Sequence, residues 1–437
     1  MKNEVIIVGG GLAGCEAASQ IAKRGLHVKL FEMRPFVMTP AHSTGNLAEL
    51  VCSSSLKSNS PGTAHGLLKE EMRKLGSVIL ECADKVAVPG GDALCVDREA
   101  FSELVTAVLE HNPNIEVIRE EIQDIPSGRP VIIATGPLTS PALVQSIKEI
   151  TGAQHLHFFD AIAPTVESES IDYDKVFRQS RYDKGEAAYI NCPMTKDEYE
   201  AFIDALLEAK TAHLHLEEEK NTIYFEGCLP VEVMARRGKD TLAYGMMKPV
   251  GLTDPKTGAR PYAVVQLRQE NTEGTLYGLV GFQTQLRSSE QDRVFRMIPG
   301  LENAEFVRYG AVHRNTYIDS PKLLTPSLHT RLDKGLFFAG QLVGVEGYME
   351  SAASGIIAGI NAARAAFGEE SVTLPKETVI GALLDYVANC PTDDFQPMNS
   401  NFGILPPIPG KQPKARRKEI RAQMARDAME QFVARKS

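Results

Sequence analysis

The stretch Val5-Ile6-Ile7-Val8-Gly9-Gly10-Gly11-Leu12-Ala13-Gly14 decides how this chain is read. Val5–Val8 is a short β-branched run, the glycines make a tight turn, and Cys15 to Arg24 has helical spacing. Gly25 ends that helix, and His27–Phe31 forms a second strand closing on Glu32. Strand, turn, helix and strand in this order make a β-α-β unit. Gly9, Gly11 and Gly14 fit G-x-G-x-x-G, and the acidic Glu32 completes the fingerprint of a dinucleotide site. Gly9 permits the turn, Gly11 lets a pyrophosphate approach the backbone, and Gly14 lets helix and strand pack closely. The helix start at Gly10, Gly11, Leu12 and Ala13 turns its partial positive charge toward the phosphates. Glu32 is placed to accept a ribose hydroxyl.

Two later segments select the dinucleotide. Val131-Ile132-Ile133-Ala134-Thr135-Gly136 is a strand ending in Ala-Thr-Gly, a pattern common in FAD-binding domains of Rossmann type. Gly335-Leu336-Phe337-Phe338-Ala339-Gly340-Gln341 is a strand ending in Ala-Gly, followed by Gly344, Gly347, Tyr348 and a small-residue helix, Ser351–Ala366. Two-domain FAD proteins close over the flavin at such a place. Together with the fingerprint, these segments favour FAD over NAD and add Thr135, Gly136, Gly340 and Gly347 to the cofactor set.

The remaining chain sets the architecture. Gly66–Leu80 and Arg98–His111 have helical spacing, as does Lys196–Lys210, while Thr222–Glu226, Tyr262–Arg268 and Thr275–Phe282 look strand-like. The expected fold is α/β: an FAD-binding Rossmann-type (glutathione-reductase-like) domain with a smaller inserted α/β domain. Its parts are residues 1–184, an insertion at 185–311, and 312–437, which returns to the first domain. Residues 391–410 hold five prolines and precede a basic C-terminal helix.

Length and composition fit this. The 437 residues are 43% apolar and 24% charged, as in a globular protein of two or three domains. The net charge is −9, whereas proteins gripping nucleic acid non-specifically usually carry the opposite sign. Residues 411–437 nevertheless hold nine Lys/Arg against three Asp/Glu, so an RNA partner is expected to meet local basic patches. The seven cysteines include no C-x-x-C pair, which points to a reducing compartment and away from a disulfide framework or zinc finger. With no signal peptide and no run of about 20 apolar residues, the cytoplasm is the expected location and no membrane partner is expected.

Beyond the fingerprint, the sequence closely resembles the bacterial folate- and FAD-dependent tRNA (uracil-5-)-methyltransferases over essentially its whole length. The blocks that carry the resemblance include Thr39-Pro40-Ala41-His42, Ala48-Glu49-Leu50-Val51-Cys52-Ser53, Leu67-Leu68-Lys69-Glu70-Glu71-Met72 and Ala134–Pro141. Ser180–Gly185, Asn191-Cys192-Pro193-Met194, Phe225-Glu226-Gly227-Cys228-Leu229-Pro230, His313–Tyr317 and Gly344–Tyr348 complete the set. The chain departs from the family pattern at Ser54, where an Asn is usual, and at Leu286–Glu290, where a Lys and an aromatic are usual. Both departures bear on the identity of the RNA more than on the chemistry.

The resemblance implies methylation of C5 in the T-loop uridine (position 54) of tRNA. C5 of uracil is a poor nucleophile, and a thiolate adding to C6 activates it by building an enolate. The one-carbon unit would come from 5,10-methylenetetrahydrofolate, and the hydride that completes the methyl group from reduced FAD recharged by NAD(P)H. By resemblance Cys228 is the nucleophile and Cys52 the base or second thiol. The serines after Cys52 offer hydroxyls and N–H groups to a thiolate, and residues Asn46–Val51 before it read as helical. Tyr348 joins the catalytic set as a planar ring able to stack on a pterin, a uracil or the isoalloxazine.

Other features are weighed against plainer readings. Cys15, Cys82, Cys95 and Cys390 read as small buried hydrophobes, and Cys192 only secondarily as catalytic. Arg287 and His313-Arg314 are candidates for a folate tail or a phosphate. Arg236-Arg237-Gly238-Lys239 and Lys414-Ala415-Arg416-Arg417-Lys418 are candidate RNA contacts, with solvated charge the alternative. The pairs His155/His157 and His213/His215 lack a third ligand at matching spacing, so no metal is expected. The rival functions are the same chemistry on ribosomal RNA, wobble-uridine modification of tRNA, an FAD oxidoreductase of a small metabolite, and a non-enzymatic RNA-folding role.

Overall fold

The computed structural model describes residues 4–128, 130–152, 155–161, 163–183, 186–211, 229–390, 395–410, 412–413 and 416–434. The strand Glu4–Val8 runs parallel to His27–Phe31 in the register Glu4↔His27 to Val8↔Phe31, with the helix Leu12–Ala22 as their crossover. Five parallel strands form the first sheet, in the order Leu336–Phe338, Val131–Ile133, Glu4–Val8, His27–Phe31, Ile115–Ile118. The order reverses at Glu4–Val8, which makes a switch point where ligands bind outside the strand ends. Near-continuous apolar runs such as Val131–Ile133, buried throughout, are what a sheet covered on both faces demands.

Small residues let the crossover helix approach the helix Tyr348–Phe367. A Cβ on Gly355 would lie 2.2 Å from Ala13 O, and one on Gly359 would lie 2.7 Å from Ala17 Cα. The alanine- and glycine-rich face of Tyr348–Phe367 is therefore a packing face, and it unites the two ends of the chain in one core. The segment expected to run as one helix over Gly66–Leu80 is two, Ala64–Lys74 and Val78–Lys85. Gly76, at φ +74°, ends the first, and the Ser77 side chain caps the second by accepting from Leu80 N.

A second, six-stranded sheet has the order Phe177–Arg178, Tyr189–Met194, Ala263–Gln269, Leu276–Leu279, Thr165–Glu167, Phe306–Arg308. Its core, which includes Val166, Ile190, Phe202, Tyr277 and Phe295, is separate from the first. Two of its strands, Thr165–Glu167 and Phe177–Arg178, precede residue 185. Asp97 ties the two units together. Its Oδ1 caps the helix Arg98–Glu110 through Glu99 N and Ala100 N, while its Oδ2 accepts from Thr272 N (2.9 Å) and Thr272 Oγ1 (3.0 Å). Among the described residues no helix is long and apolar enough to cross a membrane.

Candidate active site

Three segments expected at a dinucleotide meet at the carboxyl ends of three adjacent strands: Gly9 after Glu4–Val8, Thr135-Gly136 after Val131–Ile133, and Gly340 after Leu336–Phe338. Gly9 has φ +107°, and a Cβ there would lie 2.5 Å from Ala134 O. A Cβ on Gly14 would lie 1.9 Å from Gly9 O, so only glycine lets the helix start this close to the strand. A Cβ on Gly11 would meet nothing within 4 Å, which marks the open side of the loop. That open glycine edge, at the start of an 11-residue helix, fits the diphosphate of a dinucleotide. Gly340, at φ +82°, gives its N–H to Ser354 Oγ (2.8 Å), and Thr135 Oγ1 lies 2.6 Å from Thr139 Oγ1.

Glu32 stands where the fingerprint puts it, but its oxygens are already engaged. Oε2 accepts from Gly10 N (2.9 Å) and Arg34 Nη2 (3.2 Å), and Oε1 accepts from Arg34 N (3.0 Å) and Arg34 Nε (2.9 Å). Four donors match a carboxylate's acceptor sites, so a ribose hydroxyl has to share or displace one. Burial alone would raise the Glu32 pKa, but the bonds and charge of Arg34 hold it below the usual range. Arg34 also reaches Glu49 Oε2 (3.1 Å), whose carboxylate binds Ser43 and Thr44. Neither Arg34 nor Glu49 has a motif that signals this role from sequence.

A cavity of about 390 Å³ lies between the two sheets' ends. Pro137, Leu138, Gln341, Gly347 and Tyr348 line it from the first unit, and Arg268, Glu270, Gly281 and Arg308 from the second. Cys52, half-buried, is on its wall. The chain before Cys52 is not the expected helix over Asn46–Val51. Its backbone groups have distant partners instead: Ala48, at φ +52°, donates to Gly10 O (2.9 Å), and Leu47 N donates to Thr106 Oγ1 (2.8 Å).

Tyr348 holds this loop by its oxygen. The phenol accepts from Cys52 N (2.6 Å) and Ser53 N (3.3 Å), and burial, reinforced by Cys52, pushes its pKa up, so it stays protonated. The serines are engaged elsewhere too. Ser53 Oγ accepts from Arg268 and from Ser55 N, and Ser54 Oγ donates to Glu270 Oε1 (3.1 Å). The N–H groups of Cys52 and Ser53 and the hydroxyl proton of Ser54 are thus committed to holding the loop, whereas Ser53 Oγ is held as an acceptor and keeps its own proton to donate.

Positive charge reaches the same place from residues that sequence reasoning missed. Arg308 Nη1 donates to Val51 O (3.3 Å), and Arg98 binds Leu50 O through Nε (3.0 Å) and Nη2. Burial and the neighbouring Arg98 bring the Arg308 pKa down to about 10. Glu270 offsets part of this charge, 3.7 Å from Arg98 Nη1 and 3.4 Å from Arg268 Nη2. A second cluster surrounds the buried Glu350. Its Oε1 accepts from Ser400 N (3.0 Å) and Ser400 Oγ (2.6 Å), with Lys57 Nζ at 3.5 Å and His65 Nδ1 at 3.4 Å. Burial would raise the Glu350 pKa, but Lys57, His65 and Ser400 hold it well below the usual carboxylate range.

Cys228 lies outside the described residues, as do His213, His215, Lys414 and Ala415. Three residues on from Cys228, Val231 N donates to Gln283 O (2.7 Å), and Gln283 lines the cavity. Cys15, Cys82, Cys95 and Cys192 are buried, and Cys390 is half-buried at a helix end. Burial pushes the thiols of Cys15 and Cys192 far up, which suits packing and not catalysis. Arg287 Nε donates to Thr211 O (3.1 Å), away from the cavity wall. His155 and His157 lie on the strand His155–Ala161, and His313-Arg314 on Val312–Ile318, which pairs with it. Among the described residues no group of three or more His, Cys, Asp or Glu is placed to hold a metal ion.

Comparison with known proteins agrees with this geometry. Residues 4–370 match the model of the family described as glucose inhibited division protein A (GidA). The methylenetetrahydrofolate--tRNA-(uracil-5-)-methyltransferase TrmFO of Moorella thermoacetica is 60% identical over 408 residues, 93% of each chain. The protein of the same name from Heliobacterium modesticaldum is 57% identical over 435 residues, 98% of each chain. Among solved structures, Aquifex aeolicus GidA superposes with a TM-score of 0.69 at 19% identity, covering 99% of this chain and 75% of its own, a likeness of fold. A family model spanning most of the chain and relatives above half identity over nearly full length place the sequence without ambiguity: it belongs to the GidA family and, within it, to the TrmFO group.

Proposed function

We propose that the chain is the enzyme that methylates C5 of the T-loop uridine (position 54) of tRNA, with 5,10-methylenetetrahydrofolate as one-carbon donor. One observation carries the reading: the half-buried Cys52 shares a cavity wall with Pro137, Gln341 and Gly347, which continue the glycine-bearing strand ends. The names of relatives at 55–60% identity support the substrate and the donor. Gly9, Gly10, Gly11, Leu12, Ala13, Gly14, Thr135, Gly136, Gly340 and Gly347 would hold FAD, with Glu32 ordering the loop through Gly10 N. When bound, FAD supplies the hydride that completes the methyl group, and NAD(P)H restores it.

The chain's own groups do the rest. Cys228 adds as thiolate to C6 of the uracil, which makes C5 nucleophilic. Cys52 removes the C5 proton, and Tyr348 and Arg308 fix the loop that presents it. The inserted unit starts at the first strand of the second sheet, Thr165–Glu167, and ends after Phe306–Arg308. The protein works in the cytoplasm.

The test is to incubate the FAD-loaded protein with labelled methylenetetrahydrofolate, NADPH and either a tRNA T-arm transcript or a ribosomal RNA fragment. Label as 5-methyluridine in the T arm is the expected result, and label only in the ribosomal fragment overturns the substrate. Cys228→Ala is expected to keep FAD and lose turnover. Retained methylation in that variant would remove Cys228 from the nucleophile's role.

A further inference from the structure

The chain that follows Leu229-Pro230 folds into two short helices, Val231–Arg236 and Thr241–Tyr244, and a turn through Lys248. It is anchored to the cavity wall at two points. Val231 N donates to Gln283 O (2.7 Å), and Met246 packs on Gly281, where a Cβ would lie 3.1 Å from its sulfur. Gln283 and Gly281 both line the cavity that holds Cys52, so this segment stands at its rim.

What the segment shows to solvent is basic and aromatic. It carries Arg236, Arg237, Lys239 and Lys248 against the exposed Asp240 and the buried Glu232, on a chain whose net charge is −9. Lys239 is engaged by Asp204 (2.7 Å), whereas Arg236 and Lys248 are exposed. Tyr244 is 84% exposed, the largest exposure of any large apolar side chain among the described residues, although the short helix that carries it is otherwise mostly buried. A second exposed ring, Tyr182 at 61%, comes from the neighbouring segment. Its backbone is left-handed at φ +60°, a costly conformation for a non-glycine residue, and is fixed by Tyr182 N donating to Gly251 O (2.8 Å). Arg181 ties the two segments together by donating to Lys248 O (2.7 Å) and Val250 O (2.9 Å).

Exposed rings set among cations, on ordered backbone beside a reaction cavity, match what unpaired nucleotides need: a flat surface for the base and positive charge for the phosphate. Among the described residues of this segment Tyr244 is the one exposed large hydrophobic, so the face offers a ring and cations, the charge complement of a polyanion. Resting on the proposed RNA substrate, we propose that this face docks the loop of that RNA, with the Tyr244 ring stacking on an unpaired base and Arg236 and Lys248 contacting phosphates. An RNA so held would have its next nucleotides at the cavity mouth beside Gly281 and Gln283.

The test measures binding of a fluorescent T-arm hairpin to the FAD-loaded protein by anisotropy across a salt series. Tyr244→Ala is expected to weaken binding about 5- to 160-fold, the range of one base–aromatic stack, with flavin content and melting temperature unchanged. Tyr244→Phe keeps the ring and is expected to bind within about twofold of wild type. Arg236→Gln and Lys248→Gln are each expected to lower the slope of log affinity against log salt by about 0.7–0.9. A hairpin carrying 5-iodouridine in its loop is expected to cross-link to the peptide that contains Tyr244. Wild-type binding with Tyr244→Ala within twofold, Tyr244→Phe as weak as Tyr244→Ala, or cross-links confined to another face would each overturn the face alone. A wild-type protein that binds neither this hairpin nor a ribosomal fragment would overturn the substrate reading as well.

Discussion

Tyr348→Phe removes a single oxygen and keeps the ring, so it separates two jobs that one residue can hold. That oxygen accepts from Cys52 N at 2.6 Å and from Ser53 N at 3.3 Å. Leaving a buried N–H without a partner costs about 1–3 kcal/mol, and a long bond contributes less than a short one. Cys52 and Ser53 are half-buried on a cavity wall, so water can replace one of the two bonds. The lower part of the range therefore applies, about 1–2 kcal/mol, or about 5- to 30-fold in the opening equilibrium of the loop. Amide hydrogen exchange followed by mass spectrometry reads this directly. The peptide spanning Cys52 and Ser53 should exchange about 5- to 30-fold faster in the variant, while the strand Val131–Ile133 keeps its protection. Methylation should fall while the protein still retains FAD. A ring that only stacks on a ligand predicts the opposite: Phe tolerated and Ala harmful. Unchanged exchange at residues 52–53 together with full turnover in Tyr348→Phe would refute the anchoring argument.

Two further outcomes follow from the geometry. In Gly14→Ala the new Cβ would lie 1.9 Å from Gly9 O, so helix and strand must separate at a cost of about 1–3 kcal/mol; the variant should purify with much less flavin absorbance and a lower melting temperature, and full flavin content would count against the close-packing role. Glu71, buried against Val379 N (2.8 Å) and Ile380 N (2.9 Å), has its pKa raised by burial to about 8. Its protonated form is favoured in the folded state, so its contribution to stability is full below the ordinary carboxylate pKa and is lost as pH rises through about 8. Between pH 5 and 8 stability should fall with pH by up to about 1.4 kcal/mol per unit from this group, and Glu71→Gln should flatten that slope in thermal melts. An unaltered slope would show that Glu71 does not titrate there.

The first β-α-β unit was legible in the sequence because every constraint on it is local. Its strands are β-branched runs, its turn needs glycine at Gly9 and Gly14 for reasons of contact, and Glu32 sits at the end of the next strand. The strands Val131–Ile133 and Leu336–Phe338 were equally plain, since both are short apolar runs followed by small residues. Adjacency was not plain: only the sheet order brings Gly9, Gly136 and Gly340 to neighbouring strand ends. The break at Gly76 was missed because the apolar spacing continues through it, from Met72 to Val78, even though the chain turns.

The loop that carries Cys52 was misread for a deeper physical reason. Helical spacing in Asn46–Val51 records which side chains are apolar, but a helix forms only if its backbone groups bond to one another. Here five of them find partners elsewhere: Leu47 N on Thr106, Ala48 N on Gly10 O, Leu50 O on Arg98, Val51 O on Arg308, and Cys52 N on Tyr348. Arg308 comes from the second sheet, and Tyr348 opens the long helix that packs on the first. No periodicity or short motif can announce partners that lie from 38 to 296 residues away along the chain. The consequence is mechanical as well as predictive. A thiol at the end of a helix moves with that helix, whereas Cys52 shifts only if bonds to several separate elements yield together. Its position is therefore set by the closing of the two units on each other, which is where a reaction cavity between them needs its reacting groups fixed.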